Sequence, residues 1–386
     1  MSAVKTYQII RVVTVEEAVS FHLKNTLSLI GKDFSVAVVG SNVEKFNGQY
    51  SNIDFYDIEV PRQVSLTKDL KSVISLAFFF RKHKPQIVHS IMPKAGLVSA
   101  LAAFMTRVPC RVHTFTGQIW ATQSGLGAKL LIFFDKLIAV LNTHVFTDSS
   151  SQSNFLFAHG IQKHGQVIPV LGYGSLSGVD LKLYNKDEHV IFSQQFKQQH
   201  GLAPEDYIFL YLGRKSKDKG VYDLIQAFDA LVARGFTQVK LVMVGPNEDG
   251  EKYTAFIEKL NTKTKNLIIE VPKVNNPQAY FAICNAFCLF SYREGFGTVV
   301  IEAGAMGNPV IGTQISGLVD SIQNNYTGMI FPAGDVAMAS DLMERLIVNP
   351  DLSQSLGQNG LERVRERFSA EVVYQNLKNF YLSQLK

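Results

Sequence analysis

One short segment, residues 213–220, is rich in basic residues and bounded by glycines, and it contains Arg214 and Lys219. It follows a strand-like apolar run and precedes a helical pattern, so we place it where a strand ends and a helix begins. Two fixed cations there suit a diphosphate, because arginine can grip two oxygens at once and lysine adds a point charge. The same residue types also fit a solvated basic turn.

A second segment of the same kind contains Glu294, Gly295, Gly297, Thr298 and Glu302. It also lies between a strand-like run and a helical pattern. The glycines allow the backbone to approach a ligand closely, and the amides at Gly297 and Thr298 would point outward at the helix start, ready for phosphate. A carboxylate one turn into the helix, at Glu302, suits the two hydroxyls of a ribose, as acidic residues do in other nucleotide sites. We expect Glu294 at the strand tip, where a sugar would lie.

In the first half of the chain, an imidazole stands near the end of a predicted strand, at His113. We expect it to face a cleft and to donate a hydrogen bond to a sugar hydroxyl or to developing charge. A structural histidine is the alternative. Lys94 also follows a predicted strand and is either a phosphate contact or a solvated lysine.

Several signatures of other enzyme classes are missing from the sequence. No two aspartates lie two residues apart, so the Asp-x-Asp signature of metal-bound nucleotides is absent. No Gly-x-Gly-x-x-Gly follows the first predicted strand, and no phosphate-loop Gly-Lys-Ser/Thr occurs. The three cysteines form neither a disulfide framework nor a metal-ligand set. We therefore expect no metal ion and no cofactor.

The elements that must position these residues alternate between strand and helix from end to end. Strand-like runs are predicted at residues 7–15, 35–40, 55–60, 86–90, 111–115, 145–148, 207–212, 240–244, 267–271, 286–291 and 310–312. Helical patterns are predicted at residues 15–30, 67–81, 94–105, 128–141, 219–234, 251–260, 299–306 and 369–386. Such alternation predicts parallel, doubly wound sheets covered by helices on both faces.

The length of 386 residues exceeds what one hydrophobic core usually supports, so two domains are expected. A glycine-rich stretch at residues 172–180 separates the two series of elements and is interpreted as the interdomain connection. We predict a first Rossmann-like domain at residues 1–175 and a second at residues 176–368. The helix at residues 369–386 is expected to return to the first domain.

These motifs together resemble the retaining glycosyltransferases of family 4. The resemblance rests on Gly213-Arg214 with Lys219-Gly220, on Glu294 and Glu302 separated by seven residues, and on Gly178-Val179-Asp180 with Tyr184 in the connection. Tyr184 stands where that family usually has Phe, and Ser177 where it usually has Asn. The resemblance implies the GT-B fold, with two facing Rossmann-like doubly wound parallel-sheet domains. It also implies that the first domain binds the acceptor and the second binds the nucleotide-sugar.

The resemblance also implies a role for each candidate residue. Arg214 and Lys219 would hold the donor diphosphate and stabilise the leaving nucleotide, with Gly297 and Thr298 beside them. Glu302 would bind the ribose and Glu294 the donor sugar, with His113 near the reacting carbon. The donor is expected to be a nucleotide-sugar, with uridine as the base, and the reaction to retain the anomeric configuration.

The first half resembles the bacterial subgroup that builds O-antigen, capsule or exopolysaccharide on undecaprenyl diphosphate. We therefore expect a lipid-linked saccharide acceptor and no nucleic-acid partner. The first 25 residues lack a signal-peptide pattern, and the longest apolar run is shorter than the roughly 20 residues that span a bilayer. Basic residues flank the apolar clusters at 76–82 and 129–136, which suits a membrane interface or buried helix faces. A cytoplasmic protein is expected, peripheral on the cytoplasmic face of the inner membrane.

Other functions remain compatible with the sequence. A GT-B nucleotide-sugar epimerase would need no acceptor and would release free sugar or its 2-epimer. A transferase with a soluble acceptor would need no lipid. A nucleotide-sugar-binding protein without catalytic activity is disfavoured, because both carboxylates and both cations are present.

Overall fold

The short apolar runs form twelve parallel strands in the computed structural model, which describes residues 4–63 and 65–385. The chain divides into two compact units, the first comprising residues 1–178 and 370–386 and the second Val179–Ser369. The division falls inside the glycine-rich stretch, and the last helix belongs to the first unit. None of the helices within the described ranges is long and apolar enough to cross a membrane.

The first unit contains a six-stranded parallel sheet in the order β3-β2-β1-β4-β5-β6. β1 lies near the middle, and its run of Ile and Val residues is buried on both faces, as expected for a sheet covered on both sides. The strands are β1 (Ile9–Val15), β2 (Val36–Ser41), β3 (Ile53–Asp57), β4 (Ile87–Ile91), β5 (Cys110–Phe115) and β6 (His144–Thr147). The helices between them are α1 (Lys24–Ile30), α2 (Leu66–His83), α3 (Pro93–Met105), α4 (Gly125–Leu141) and α5 (Ser150–Ala158).

The second unit repeats this architecture with the strand order β12-β11-β10-β7-β8-β9. Its strands are β7 (Tyr207–Leu212), β8 (Val239–Val244), β9 (Ile268–Val271), β10 (Ala286–Leu289), β11 (Val310–Thr313) and β12 (Gly328–Phe331). Its helices are α6 (Val190–Gln199), α7 (Val221–Ala233), α8 (Glu251–Glu258), α9 (Thr262–Lys265), α10 (Gln278–Phe281), α11 (Thr298–Ala305), α12 (Leu318–Ser321), α13 (Val336–Val348) and α14 (Pro350–Arg363). Both sheets are doubly wound, as predicted.

The last helix, α15 (Ala370–Gln384), packs on the first unit through a buried polar network as well as apolar contacts. The Tyr381 hydroxyl accepts a hydrogen bond from Arg11 Nη1 at 3.1 Å and lies 2.6 Å from His89 Nδ1. Nearby, Lys378 Nζ lies 2.8 Å from an Asp33 carboxylate oxygen. These contacts fix α15 across β1 and β4.

Three local predictions differ from the structure. The predicted strand at 55–60 begins earlier and forms β3, Ile53–Asp57. The predicted helix at 15–30 is divided into a π-helical segment, Val19–Leu23, and α1. The edge strand β12 was not predicted, because it has only four residues and starts with Gly328. A Cβ atom at Gly328 would lie 2.3 Å from the Val310 carbonyl oxygen, so close pairing with β11 requires glycine here.

Candidate functional site

The candidate site lies in the second unit, where the order of strands reverses. From β7 the chain continues to β8 and β9 on one side, then returns to β10 on the other side. In open parallel sheets, ligands bind in the crevice outside the carboxyl ends of the strands at such a switch point. The two predicted motifs follow β7 and β10, so they lie on either side of this crevice.

The loop after β7 is held directly against the end of β10. Gly220 has a φ of +65°, and a Cβ atom there would lie 1.9 Å from the Phe290 carbonyl oxygen. The Tyr292 amide donates a hydrogen bond to the Asp218 carbonyl oxygen at 2.9 Å. The close approach requires glycine and brings a 3₁₀ turn, Lys217–Lys219, next to the second motif.

Two residues predicted from separate motifs meet at this point. Lys219 Nζ lies 2.7 Å from Glu294 Oε1, and their side chains are only 18% and 14% exposed. The Ser291 hydroxyl, which is fully buried, donates a second hydrogen bond to Glu294 Oε1 at 2.8 Å. Both donors therefore bind one carboxylate oxygen, which fixes the orientation of the group. The role of Ser291 was not predicted, although it stands three residues before Glu294.

Arg214 is more exposed and contacts different carboxylates. Its side chain is 45% exposed, pairs with Glu248 through Nη1, and lies 3.5 Å from Asp218 Oδ2 through Nη2. Burial would raise the pKa of Asp218, but the Ser216 hydroxyl and the cations Arg214, Lys219 and Arg293 together hold it below its usual value. Arg214 and Lys219 are thus anchored by separate carboxylates, and their joint binding of a diphosphate stays a prediction.

Lys215 stands between the two candidate cations but has a structural role. It is almost fully buried, pairs with Glu270, and donates a hydrogen bond to the Val271 carbonyl oxygen at 3.1 Å. Its charge therefore ties the loop after β7 to β9. The interpretation of this segment as a solvated basic turn does not apply to Lys215.

The loop after β10 leads into α11 through a tightly packed turn. Gly297 has a φ of +74°, and a Cβ atom there would lie 2.5 Å from Leu318 Cδ2. Gly317 closes on the same loop, since a Cβ atom at that position would lie 2.4 Å from the Gly295 carbonyl oxygen. Amides in the first turn of a helix generally lack an intrahelical acceptor, although the Val300 amide donates to the Gly297 carbonyl oxygen at 2.8 Å. The described first turn of α11 carries no acidic side chain. This end of α11 is therefore electropositive, as an anion site requires.

Glu302 lies one turn into α11 and is partly buried. Burial, and then the negative charge of Glu302, raise the pKa of Tyr184, which belongs to the start of the second unit. Thr298 is also partly buried and opens the helix. Gly297, Thr298 and Glu302, three of the residues predicted for phosphate and ribose, therefore lie on one short helix and the turn before it.

His113, which we expected to face a cleft, is buried. His113 lies within β5 in the first unit and is 1% exposed. Its Nδ1 atom is 2.9 Å from the Ser90 hydroxyl oxygen, and a Cβ atom at Gly96 would lie 2.5 Å from its Cε1 atom. Burial lowers the pKa of His113 to about 3, so the ring is neutral at physiological pH. Its place near the reacting carbon stays a prediction.

Lys94 is largely buried and ion-paired, so it is not a solvated lysine, and its contact with a phosphate stays a prediction. Its Nζ lies 2.6 Å from Asp69 Oδ2, and both side chains are largely buried. The amide of the next residue, Ala95, donates to the Thr14 hydroxyl at 3.2 Å, so the start of α3 is capped from β1. The Lys94 side chain and the Ala95 amide, both at the start of α3, therefore already have partners within the first unit.

Comparison with known proteins gives matches along most of the chain. Residues 192–363 match the family described as "Glycosyl transferases group 1", and residues 32–170 match "Glycosyl transferase 4-like domain". The chain is 31% identical over 382 residues to the capsular polysaccharide biosynthesis glycosyltransferase CapM of Staphylococcus aureus, covering 99% of this chain and 98% of that protein.

A more distant relative is the UDP-Gal:alpha-D-GlcNAc-diphosphoundecaprenol alpha-1,3-galactosyltransferase of Escherichia coli. It is 23% identical over 332 residues, which cover 84% of this chain and 82% of that protein.

Solved structures resemble the fold over nearly the whole chain. Alr3699/HepE of Anabaena, in complex with UDP and glucose, has a TM-score of 0.81 at 17% identity and covers 98% of this chain and 100% of that one. The sucrose-phosphate synthase of Thermosynechococcus elongatus has a TM-score of 0.80 at 19% identity and covers 97% and 98%. The predicted GT-B fold with two Rossmann-like α/β domains is confirmed.

Proposed function

Because the chain belongs to the GT-B glycosyltransferases of family 4 that act in bacterial polysaccharide synthesis, we propose that it transfers a sugar from a UDP-sugar to an undecaprenyl-diphosphate-linked saccharide. The proposed reaction retains the anomeric configuration and needs no metal ion. The observation that carries the proposal is the pairing of Lys219 with Glu294 beside the electropositive start of α11. This ion pair brings Lys219, proposed to bind phosphate, next to Glu294, proposed to bind the sugar, at the point where the strand order reverses.

The donor is assigned from the chemistry of this site. A diphosphate carries charge that the Lys219 and Arg214 side chains and the α11 amides would neutralise together. Glu302 would then accept hydrogen bonds from the ribose hydroxyls. Uridine is proposed as the base, and the presence of UDP in the structure of the Anabaena protein supports it.

Catalysis would depend on the stabilisation of the departing nucleotide. When the bond between the anomeric carbon and the β-phosphate oxygen breaks, negative charge builds on that phosphate. Fixed cations and helix amides there stabilise the transition state more than the ground state. These groups take the place of a divalent ion in the proposal.

Retention requires the acceptor hydroxyl to attack from the face that the nucleotide leaves. The acceptor oxygen forms its bond to the anomeric carbon, the bond to the phosphate oxygen breaks, and the hydroxyl proton passes to the departing phosphate. Glu294 would contact the donor sugar, with its orientation fixed by Lys219 and Ser291. No covalent protein intermediate is part of the proposal.

A lipid-linked acceptor is proposed because the Escherichia coli relative is named for such a substrate. Exposed apolar residues on the first unit support a membrane-bound acceptor. On α2, the exposed residues Leu66, Leu70, Ile74 and Phe78 recur at every fourth position and form one stripe. On α4, Leu126, Leu130 and Phe133 are exposed apolar residues in the first half of the helix, and Val140 is exposed near its end.

Basic residues border both apolar stripes. Lys71, Arg81 and Lys82 on α2, and Lys129 and Lys136 on α4, are exposed. Apolar residues flanked by cations suit the headgroup region of an anionic membrane. We therefore place the first unit on the cytoplasmic face of the inner membrane.

Vesicle flotation tests this membrane assignment. The triple replacement of Leu126, Leu130 and Phe133 by Ser should abolish flotation with vesicles containing phosphatidylglycerol. The matched control replaces the exposed apolar residues Ile191 and Val348 of the second unit by Ser, and it should float like the unchanged protein. Equal flotation of both variants would contradict the assignment.

The proposed reaction is tested by incubating the enzyme with UDP-sugars and an undecaprenyl-diphosphate-linked saccharide. Mass spectrometry should detect an acceptor extended by one sugar, and NMR should show that the anomeric configuration of the donor is kept. Release of free or epimerised sugar without acceptor would identify an epimerase instead. Transfer to a water-soluble acceptor alone would refute the lipid-linked substrate.

A further inference from the structure

Lys215 is a buried cation in the loop after β7, next to a residue that is proposed to bind the diphosphate. It is 3% exposed, and its Nζ atom pairs with the Glu270 carboxylate and donates a hydrogen bond to the Val271 carbonyl oxygen at 3.1 Å. Both partners belong to β9, and β8 lies between β7 and β9 in the sheet. The Lys215 side chain therefore connects this loop to a strand that is not its neighbour.

The partner of Lys215 is itself held in place. The Tyr253 hydroxyl, on α8, donates a hydrogen bond to Glu270 Oε1 at 2.5 Å, while Lys215 pairs with Glu270 Oε2. The Nζ atom of Lys215 also lies 5.9 Å from the centroid of the Tyr253 ring. Each oxygen of the Glu270 carboxylate therefore has its own donor, and this fixes the acceptor toward which Lys215 points.

The main chain around Lys215 is fixed at the same time. Its amide donates a hydrogen bond to the Pro246 carbonyl oxygen at 2.8 Å, and its carbonyl oxygen accepts one from the Glu248 amide at 3.1 Å. Glu248 is the residue whose carboxylate pairs with Arg214 Nη1. The Arg214 carbonyl oxygen accepts a hydrogen bond from the Tyr211 hydroxyl at 2.6 Å. The backbone at Arg214 is thus held on both sides, while its side chain is 45% exposed.

A buried charge at position 215 fits a role in positioning the loop. Buried ion pairs often stabilise a protein no more than well-packed apolar side chains of similar volume, because both charges must leave water. A charge-assisted hydrogen bond, however, has a defined length and direction. The pair of Lys215 and Glu270 therefore specifies one place for the loop, which an apolar contact would define less narrowly.

Resting on the proposed function, we propose that Lys215 is a positioning residue, whose ion pair with Glu270 holds the loop after β7 in the conformation in which Arg214 binds the diphosphate. Lys215 acts through Arg214 and does not itself touch the nucleotide. Because the loop is ordered before the nucleotide arrives, the entropy cost of ordering it does not reduce the affinity.

Isothermal titration calorimetry of UDP with the full chain tests this role. Lys215→Met keeps an unbranched side chain but removes the charge, and the Glu270 carboxylate that remains is 38% exposed and keeps its Tyr253 donor. The variant should fold and bind UDP roughly tenfold more weakly, the size expected when the ordering of about one loop residue is moved to the binding step. Glu270→Gln removes the ion pair from its solvated side and should also weaken UDP binding.

Two further measurements make the outcome specific. The control Lys240→Met removes another largely buried lysine of the second unit, near the start of β8 and 3.9 Å from Asp206 Oδ2, and should leave UDP affinity unchanged. Lys215→Met added to Arg214→Ala should cause no further loss of affinity, because the residue through which Lys215 acts is gone.

Each result leads to a different conclusion. If Arg214→Ala leaves UDP binding unchanged, the diphosphate assignment of the proposed function fails. If Arg214→Ala weakens binding but neither Lys215→Met nor Glu270→Gln does, the positioning role is overturned while the proposed function stands. If Lys215→Met weakens binding equally with and without Arg214, Lys215 supports the unit as a whole and the positioning role is also overturned.

Discussion

Replacing Asp135 by Asn should make the first unit more stable at alkaline pH and leave it unchanged at acidic pH. Asp135 lies on α4, is 3% exposed, and accepts a hydrogen bond from Trp120 Nε1 at 2.7 Å. Burial raises the pKa of this carboxyl to about 7, against the Trp120 hydrogen bond, which acts to lower it. An asparagine keeps an oxygen acceptor for Trp120 but cannot ionise.

The magnitude and pH window follow from that pKa. Below about pH 4 the carboxyl is protonated in both the folded and the unfolded chain, so it has no pH-dependent effect. Between about pH 4 and pH 7 the folded state binds more protons, and the free energy of unfolding therefore falls as pH rises. A change from the ordinary value to about 7 corresponds to about 4 kcal/mol, which is the upper limit of the gain for Asp135→Asn at pH 8.

The chain offers a direct assay, because Trp120 is its only tryptophan and stacks on Phe155 at 5.2 Å. Urea unfolding followed by tryptophan fluorescence reports on the surroundings of Asp135 in the first unit. The difference between Asp135→Asn and the unchanged protein should grow from near zero at pH 4 to several kcal/mol at pH 8.

Asp33→Asn is a control of opposite sign. Hydrogen bonds from Lys378 and Tyr374 lower the pKa of Asp33, so its stabilising effect is present at neutral pH and is lost as pH falls. Asp33→Asn should therefore be destabilising at pH 8. A pH-independent difference for Asp135→Asn, or a loss of stability at pH 8, would show that ionisation of the buried Asp135 carboxyl does not destabilise the folded first unit.

Three predictions concern the candidate site. Lys219→Ala should lower kcat/KM by roughly 100- to 1,000-fold, because the transition state loses a charged donor. The control Lys217→Ala, at an exposed neighbour, should change kcat/KM little. Equal effects of the two substitutions in steady-state assays would show that Lys219 is not part of the site. Ser291→Ala should lower activity by roughly tenfold, because Glu294 loses one of its two hydrogen-bond donors. Unchanged activity would show that Ser291 does not orient Glu294. Gly297→Ala should abolish nucleotide binding by calorimetry, whereas Gly307→Ala, also at positive φ but with open space around it, should cost only about 1 kcal/mol of stability.

Much of this fold could be predicted because its strands are apolar throughout and alternate with amphipathic helices. β12 was missed, since four residues that begin with glycine give too weak a pattern, and only close pairing with β11 explains the glycine. The two glycine-containing motifs correctly indicated where β7 and β10 end and where α7 and α11 begin. Their proximity depends on the strand order of the sheet, which a single sequence does not determine.

Side-chain partners were harder to predict than positions. Lys215 and Lys219 are both lysines of one segment, yet one pairs with Glu270 and is structural while the other pairs with Glu294. His113 was expected to face a cleft, and its burial was not foreseen, because Gly96 lets α3 pack directly on its ring. Burial of this kind depends on a helix from another part of the chain, which the local sequence does not specify.

We propose that the start of α11, Arg214 and Lys219 neutralise a pyrophosphate without a divalent ion. Calorimetric titration of UDP into the full chain with excess EDTA tests this proposal, with Arg214→Ala and Lys219→Ala measured alongside. We expect UDP to bind equally well with and without EDTA, and each substitution to weaken binding by at least roughly tenfold. If UDP binding is lost with EDTA and returns with manganese, or if neither substitution affects it, the proposal is wrong.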